Sequence, residues 1–239
     1  MPTPIVSLID HAVLQPTQTA DDVRAACKLC VELGAASVCV KPSHIELTAE
    51  LLTATPVVPS TVIGFPHGGT STEAKVAETH AACRAGAVEV DMVVNLGAAL
   101  AGDWGFVADD IKAVVDAAGE SDAITKVILE TGLLPDDQTK QKLCELSERS
   151  GAAFVKTSTG FGYVKADGGM VSTGATEHDV RLMRSACSDA VLIKASGGVR
   201  SYADAKRMVE AGAARLGCSA TEAIAAGERG ESAESDAAY

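Results

Sequence analysis

The chain has no run of apolar residues approaching the ~20 needed to cross a bilayer, and its start, MPTPIVSLIDHAVLQ, lacks the basic region and long apolar segment of a secretory leader. A cytoplasmic protein is expected. Positive charge is scarce: 20 Lys and Arg stand against 32 Asp and Glu, a formal net charge of −12 over 239 residues. Neither nucleic acid nor an anionic membrane gains from such a surface, so neither is expected as a partner, and any phosphate must be held locally by glycine-rich turns and helix starts. A disulfide framework is missing as well, because the seven cysteines, at 27, 30, 39, 83, 144, 187 and 218, are odd in number and scattered. The one C-x-x-C, Cys27 to Cys30, lies in the helical run ADDVRAACKLCVELG with no second pair or histidine cluster beside it, and reads as packing. The five histidines are not spaced as ligands, and no metal or other cofactor is expected. No linker, charge block or low-complexity segment divides the chain. One domain over residues 1–226 is expected, followed by a polar tail, GERGESAESDAAY, that reads as a mobile terminus.

What is present is alternation. With 47% hydrophobic and 22% charged residues the chain has the composition of a folded domain. Eight short runs read as strands: residues 5–10, 37–41, 60–65, 87–94, 125–130, 153–157, 191–196 and 214–219. Helical stretches separate them, opening on capping-box spacings at Thr19 with Asp22, Ser43 with Glu46, Thr70 with Glu73, Thr176 with Asp179, Ser201 with Asp204 and Ser219 with Glu222. Gly34, Gly86, Gly151 and Gly212 stand where helices end. Eight strand-then-helix units in this length predict a (β/α)₈ TIM barrel. An open dinucleotide-binding sheet would instead carry G-x-G-x-x-G after its first strand, where this chain has HAVLQPTQT.

In such a barrel the C-terminal strand ends form the active face, and here they carry Asp10, Cys39 with Lys41, Phe65-Pro66-His67, Asp91 with Asn95, Glu130, Lys156, Lys194 and Gly217 to Ser219. Lys156 shares a strand face with Phe154 and precedes the turn Thr157 to Gly160. A lysine among apolar neighbours loses hydration and its pKa falls, which frees the amine to act as a nucleophile. Lys194 ends a neighbouring run, and two ammonium groups set close together cannot both stay charged cheaply. Glu89 and Asp91 share a face, as do Lys126 and Glu130, so paired charges inside the mouth are the competing structural reading of both lysines. After Lys194, Gly197 and Gly198 precede a helix, as Gly217 to Ser219 precede another, where this architecture recurrently binds phosphate.

Seven segments together, LIDHAVLQPTQT, VCVKPS, VIGFPHGGTSTEAKVAE, AVEVDMVVNLGA, KVILETGLL, FVKTSTGFG and IKASGGVRSYADA, resemble the deoxyribose-phosphate aldolase family, in family order over about residues 5 to 225. The resemblance implies a class I aldolase that reversibly cleaves 2-deoxy-D-ribose 5-phosphate to D-glyceraldehyde 3-phosphate and acetaldehyde, with no metal. It implies that Lys156 forms the Schiff base, that Lys194 lowers its pKa, and that Asp91 carries protons. Tyr239 corresponds to a terminal tyrosine that moves the acetaldehyde methyl proton in some members. Phosphate contacts are implied at Thr159, Gly160, Gly197, Gly198, Gly217 and Ser219, with Cys39 and Asp10 near the substrate. The chain departs from the common pattern at Ala12, Gln15 and Ala220, and its segment from Phe161 to Thr173, carrying Lys165, is long. A small phosphorylated sugar and acetaldehyde are thus the expected partners, with room for a homo-oligomer.

Overall fold

A computed structural model describes residues 3–166 and 168–231. Its eight-stranded core comprises β1 (Ile9–Val13), β2 (Ser37–Val40), β3 (Val58–Ile63), β4 (Glu89–Val93), β5 (Ile124–Ile128), β6 (Phe154–Lys156), β9 (Leu192–Ser196) and β10 (Arg215–Cys218). These strands pair in parallel and close on themselves, β10 returning to β1, so the sheet has no free edge. The fold is the expected TIM barrel. Around it lie α1 (Ala20–Leu33), α2 (Ile45–Leu52), α3 (Thr72–Arg84), α4 (Leu96–Leu100), α5 (Trp104–Gly119), α6 (Asp137–Arg149), α7 (Glu177–Ala186), α8 (Tyr202–Glu210) and α9 (Thr221–Glu228). None of the described helices is long and apolar enough to cross a membrane.

Strand alternation sorts the chemistry. Ile9, Val38, Val90, Met92, Val127, Val155, Ile193 and Leu216 join one apolar cluster with the inner faces of the helices, Cys27 and Cys30 among them. The residues between them point the other way, into the barrel, and most are polar or charged: Asp10, Ser37, Ser60, Glu89, Asp91, Lys126, Lys156, Lys194 and Ser196 are all buried. Stability therefore lives in the layer between strands and helices. The space inside the ring is left for charge.

The four expected helix-ending glycines are left-handed, with φ of 73° at Gly34, 100° at Gly86, 90° at Gly151 and 115° at Gly212. Thr19 and Ser201 form full capping boxes, and Thr176 accepts from the N–H of Asp179. Three expected caps fall elsewhere. Ser71, not Thr70, caps α3 by accepting from Ala74. A 3₁₀ turn over Pro42–His44 moves the start of α2 past Ser43, and Ala220 takes the cap position of α9 in place of Ser219. The first expected strand also begins late, because Ile5–Leu8 is a 3₁₀ turn. Pro4 accepts from both the N–H and the hydroxyl of Ser7, and the Glu228 carboxylate takes the N–H groups of Ile5 and Val6 at 2.6 and 3.2 Å, so those donors are unavailable to a sheet. That contact also keeps Gly227 and Glu228 helical, where the polar tail was expected to begin.

One element was not expected at all. Between β6 and α7 an antiparallel hairpin, β7 (Tyr163–Ala166) with β8 (Gly169–Ser172), stands off the barrel with all eight residues exposed.

Candidate active site

The inward positions of six strands converge on one charged cluster. Lys126 Nζ lies 2.8 Å from Asp91 Oδ1, 2.6 Å from Glu89 Oε2 and 3.4 Å from Asp10 Oδ2. Arg215 Nη1 reaches Asp10 Oδ1 at 2.6 Å and Glu89 Oε2 at 3.3 Å, its guanidinium resting over the Phe154 ring at 5.4 Å from the centroid. Ser37 donates its hydroxyl to Asp10 at 2.6 Å. Nearer the mouth, Lys156 and Lys194, directly opposite each other in register, both donate to Asp91 Oδ2, at 2.8 and 2.7 Å. Sharing one oxygen caps the distance between the two nitrogens at the sum of those bonds. Lys194 also lies 2.5 Å from Asp10 Oδ2. Gly217 makes that placement feasible, since a Cβ there would stand 3.0 Å from Lys194 Cε and 2.8 Å from Ser196 Cβ.

Four cations, Lys126, Lys156, Lys194 and Arg215, thus face three carboxylates, Asp10, Glu89 and Asp91. Fully charged, the cluster carries an excess positive charge in a place with little solvent. Two unit charges roughly 5 Å apart repel by about 3 kcal/mol at an effective dielectric of ~20, enough to decide which lysine gives up its proton. The environments are unequal. Burial depresses Lys156, Asp91 opposes it, and the charge of Lys194 adds to the depression. Burial also works against Lys194, but Asp10 and Asp91 together outweigh it and raise that group. Lys126 is raised well above the ordinary range against the same burial, by Asp10, Asp91 and Glu89. Asp91 is held well below the usual carboxylate range despite burial, by Lys126, Lys156 and Lys194. Lys156 is the one lysine of the three that sits below its ordinary value, and its deprotonation balances the cluster at three against three.

Above the charges a cavity of about 280 Å³ opens between the glycine loops and the hairpin. Gly160, Gly197, Gly198 and Gly217 line one side, with Val199, Arg200 and Cys218, while Tyr163, Met170 and Ser172 line the other. Phe161 packs edge-on against Phe65 across the mouth, ring centroids 5.4 Å apart at 84°. His67, in the loop beyond Phe65, is exposed.

Asp10, Asp91, Lys156 and Lys194 are thus drawn together, and the four glycines border one cavity. Cys39 projects among the same charges, buried, its thiol pushed up by desolvation and by Asp91. Thr159 differs from expectation: its N–H and hydroxyl both donate to the Glu130 carboxylate, so they are engaged within the protein. Glu130 in turn is buried, raised by desolvation against the pull of the Thr159 bonds, and held in the left-handed region at φ 54°. Ser219 does not border the cavity, and Tyr239 lies outside the described residues. Arg215, Ser37, Tyr163 and Arg200 were not singled out by sequence reasoning. Parity with Gly217 could have pointed Arg215 inward, but nothing local announces its two carboxylate partners. The described residues contain no cluster of three or more His, Cys, Asp or Glu arranged as metal ligands.

A family model described as DeoC/LacD family aldolase matches residues 5–227. The deoxyribose-phosphate aldolase of Halalkalibacterium halodurans is 48% identical over 228 residues, 95% of this chain and 97% of that protein. The deoxyribose-phosphate aldolase of Clostridium perfringens is 45% identical over the same shares. Among solved structures, the tetrameric deoxyribose phosphate aldolase from Aeropyrum pernix superposes with a TM-score of 0.84 at 32% identity, covering 94% of this chain and 91% of that one.

Proposed function

The chain belongs to the DeoC/LacD family of aldolases, and we propose that it reversibly cleaves 2-deoxy-D-ribose 5-phosphate to D-glyceraldehyde 3-phosphate and acetaldehyde through an imine on Lys156. The observation that carries this reading is the sharing of Asp91 Oδ2 by two lysines of which only Lys156 is depressed. A neutral Lys156 attacks the C1 aldehyde of the open-chain sugar, and the carbinolamine loses water to give the imine. The C3 hydroxyl then gives up its proton, the C2–C3 bond breaks, and D-glyceraldehyde 3-phosphate leaves an enamine on the lysine. Protonation at C2 and hydrolysis release acetaldehyde. Asp91, bridging Lys156 and Lys194, is placed to pass protons through these steps, and Lys194 stays cationic to keep Lys156 low.

Gly160, Gly197, Gly198 and Gly217 would hold the 5-phosphate in the cavity above, with backbone N–H groups near the starts of α8 and α9. Asp10 would hold Lys194 from the other side. Tyr239 retains the role that the family resemblance gives it, at the acetaldehyde carbon. The reading extends to a cytoplasmic enzyme of deoxyribose phosphate catabolism, working as a homo-oligomer as the Aeropyrum relative does.

Treatment with acetaldehyde and borohydride tests the covalent step. An ethyl group located on Lys156 by peptide mass is expected. A folded sample that stays unlabelled at Lys156 would leave a non-catalytic sugar-phosphate-binding barrel as the better reading.

A further inference from the structure

A phosphate monoester carries about −1.5 to −2 charge at neutral pH, and the cavity that would hold it presents one cationic side chain, Arg200. The lysines below are committed to Asp10, Glu89 and Asp91. The protein as a whole is no help, since its net charge of −12 repels a dianion. Backbone N–H groups orient the phosphate but leave about one negative charge uncompensated.

The hairpin supplies a candidate. Directly opposed residues of an antiparallel pair share a face, and the register sets Tyr163 against Ser172 and Lys165 against Met170. Tyr163, Met170 and Ser172 all border the cavity. Lys165 therefore belongs to the cavity-side face, two residues along from Tyr163, while Val164 and Val171 oppose each other on the other face. None of the ion pairs among the described residues involves Lys165 or Arg200. The base of the hairpin is fixed, so this face keeps its direction. Thr173 donates its N–H to Gly162 O at 2.8 Å, and its side chain fills a notch where a Cβ on Gly132 or Gly162 would collide with it. Beyond it, Ala175 donates to Gly197 O at 3.0 Å, which ties the returning strand to the glycine loop of the cavity itself.

We infer that Lys165 is a substrate-binding residue: the hairpin carries it over the cavity, where with Arg200 it completes the neutralisation of the phosphoryl group held on the glycine loops. The inference rests on the phosphorylated-substrate reading above and adds a hairpin-borne contact to it. Because the cation meets the C5 phosphoryl group, at the opposite end of the substrate from the C1 imine, its loss weakens binding of substrate and transition state alike.

The test compares Lys165→Ala and Lys165→Arg with the parent, using 2-deoxyribose 5-phosphate and unphosphorylated 2-deoxyribose, with inorganic phosphate as competitor. Lys165→Ala is expected to raise KM for the phosphorylated sugar about fivefold, in line with a partly exposed charge-assisted contact, to leave kcat and the unphosphorylated reaction unchanged, and to weaken phosphate inhibition to a similar degree. Lys165→Arg should recover most of that loss. A Lys165→Ala enzyme that keeps the parent's KM for the phosphorylated sugar, or loses equally on both sugars, overturns the inference while leaving the proposed function standing. A parent enzyme indifferent to the 5-phosphate would overturn the phosphorylated-substrate reading, and the role of Lys165 with it. Lys165 is exposed, so these variants carry no folding cost that would mask the result.

Discussion

Lys75, held between α3 and α5, and Lys156, inside the barrel, are both buried and each touches an aspartate, at 2.6 Å to Asp110 and 2.8 Å to Asp91. Around Lys75 the accounts close. Its ammonium donates to Asp110 Oδ2 and to the carbonyl of Val93, and the other Asp110 oxygen accepts from Thr72 at 2.8 Å. One cation meets one anion, and each has a further neutral partner. Around Lys156 they do not close, because Asp91 is also claimed by Lys126 and Lys194. Burial of a lysine is thus a poor sign of reactivity by itself. What separates a reactive amine from a structural brace is a surplus of cations over the carboxylates they share.

Substituting each lysine in turn should give opposite results. Lys156→Ala removes the proposed nucleophile, and turnover should fall by about 10⁴-fold or more, while Lys126 and Lys194 remain to satisfy Asp91 and keep the variant folded. Lys75→Met strands Asp110 in an apolar layer and should cost about 3–5 kcal/mol of stability with kcat of the folded enzyme nearly unchanged. Urea midpoints and active-site-normalised rates measure both. A Lys75→Met enzyme that folds normally but has lost its kcat would erase the distinction.

A finer version alters the surplus without touching the nucleophile. Lys194→Leu takes away a cation that depresses Lys156 and leaves Asp91 to stabilise its protonated form, so the Lys156 pKa moves up. An amine acts only when neutral, so at fixed pH a smaller fraction is competent. The acid-side limb of kcat/KM should shift to higher pH, with a loss at neutral pH of about 10- to 100-fold. Full pH profiles of parent and variant decide it, and superimposable profiles would mean that Lys194 does not set the charge state of Lys156.

The barrel and the convergence of charged strand ends were legible in the sequence for a physical reason. Short apolar runs ending in a polar residue record which face meets the helices, and AFVKTS and VLIKAS place their lysines at the same strand level. The brace was not legible: Lys75 stands in TEAKVAETHAACR, where a lysine among alanines and acids reads as solvated, and its partner is 35 residues away. Nor was the hairpin, whose eight exposed residues answer to no core and so leave no buried-face pattern. The Glu130 hold on Thr159 escaped because it depends on a left-handed glutamate, a conformation that the residue type does not advertise.

The smallest effect comes from replacing the brace as a whole. If Lys75 and Asp110 form a closed unit, exchanging both for apolar residues, Lys75→Met with Asp110→Leu, removes charge and countercharge together and should largely rescue the single variant. Rescue is not expected to be complete. Val93 O loses a donor at 2.9 Å, and a buried acceptor left unpartnered costs about 1–3 kcal/mol, while Thr72, only part-buried, loses its acceptor at smaller cost. The double variant should therefore lie about 1–2 kcal/mol below the parent and well above Lys75→Met, by urea midpoint. The matching exchange in the barrel, Lys194→Met with Asp10→Leu, should show no such rescue, since Lys126 and Arg215 would each lose a carboxylate that nothing replaces. Equal rescue at both places would mean that the barrel charges pair off two by two, and the surplus that singles out Lys156 would not exist.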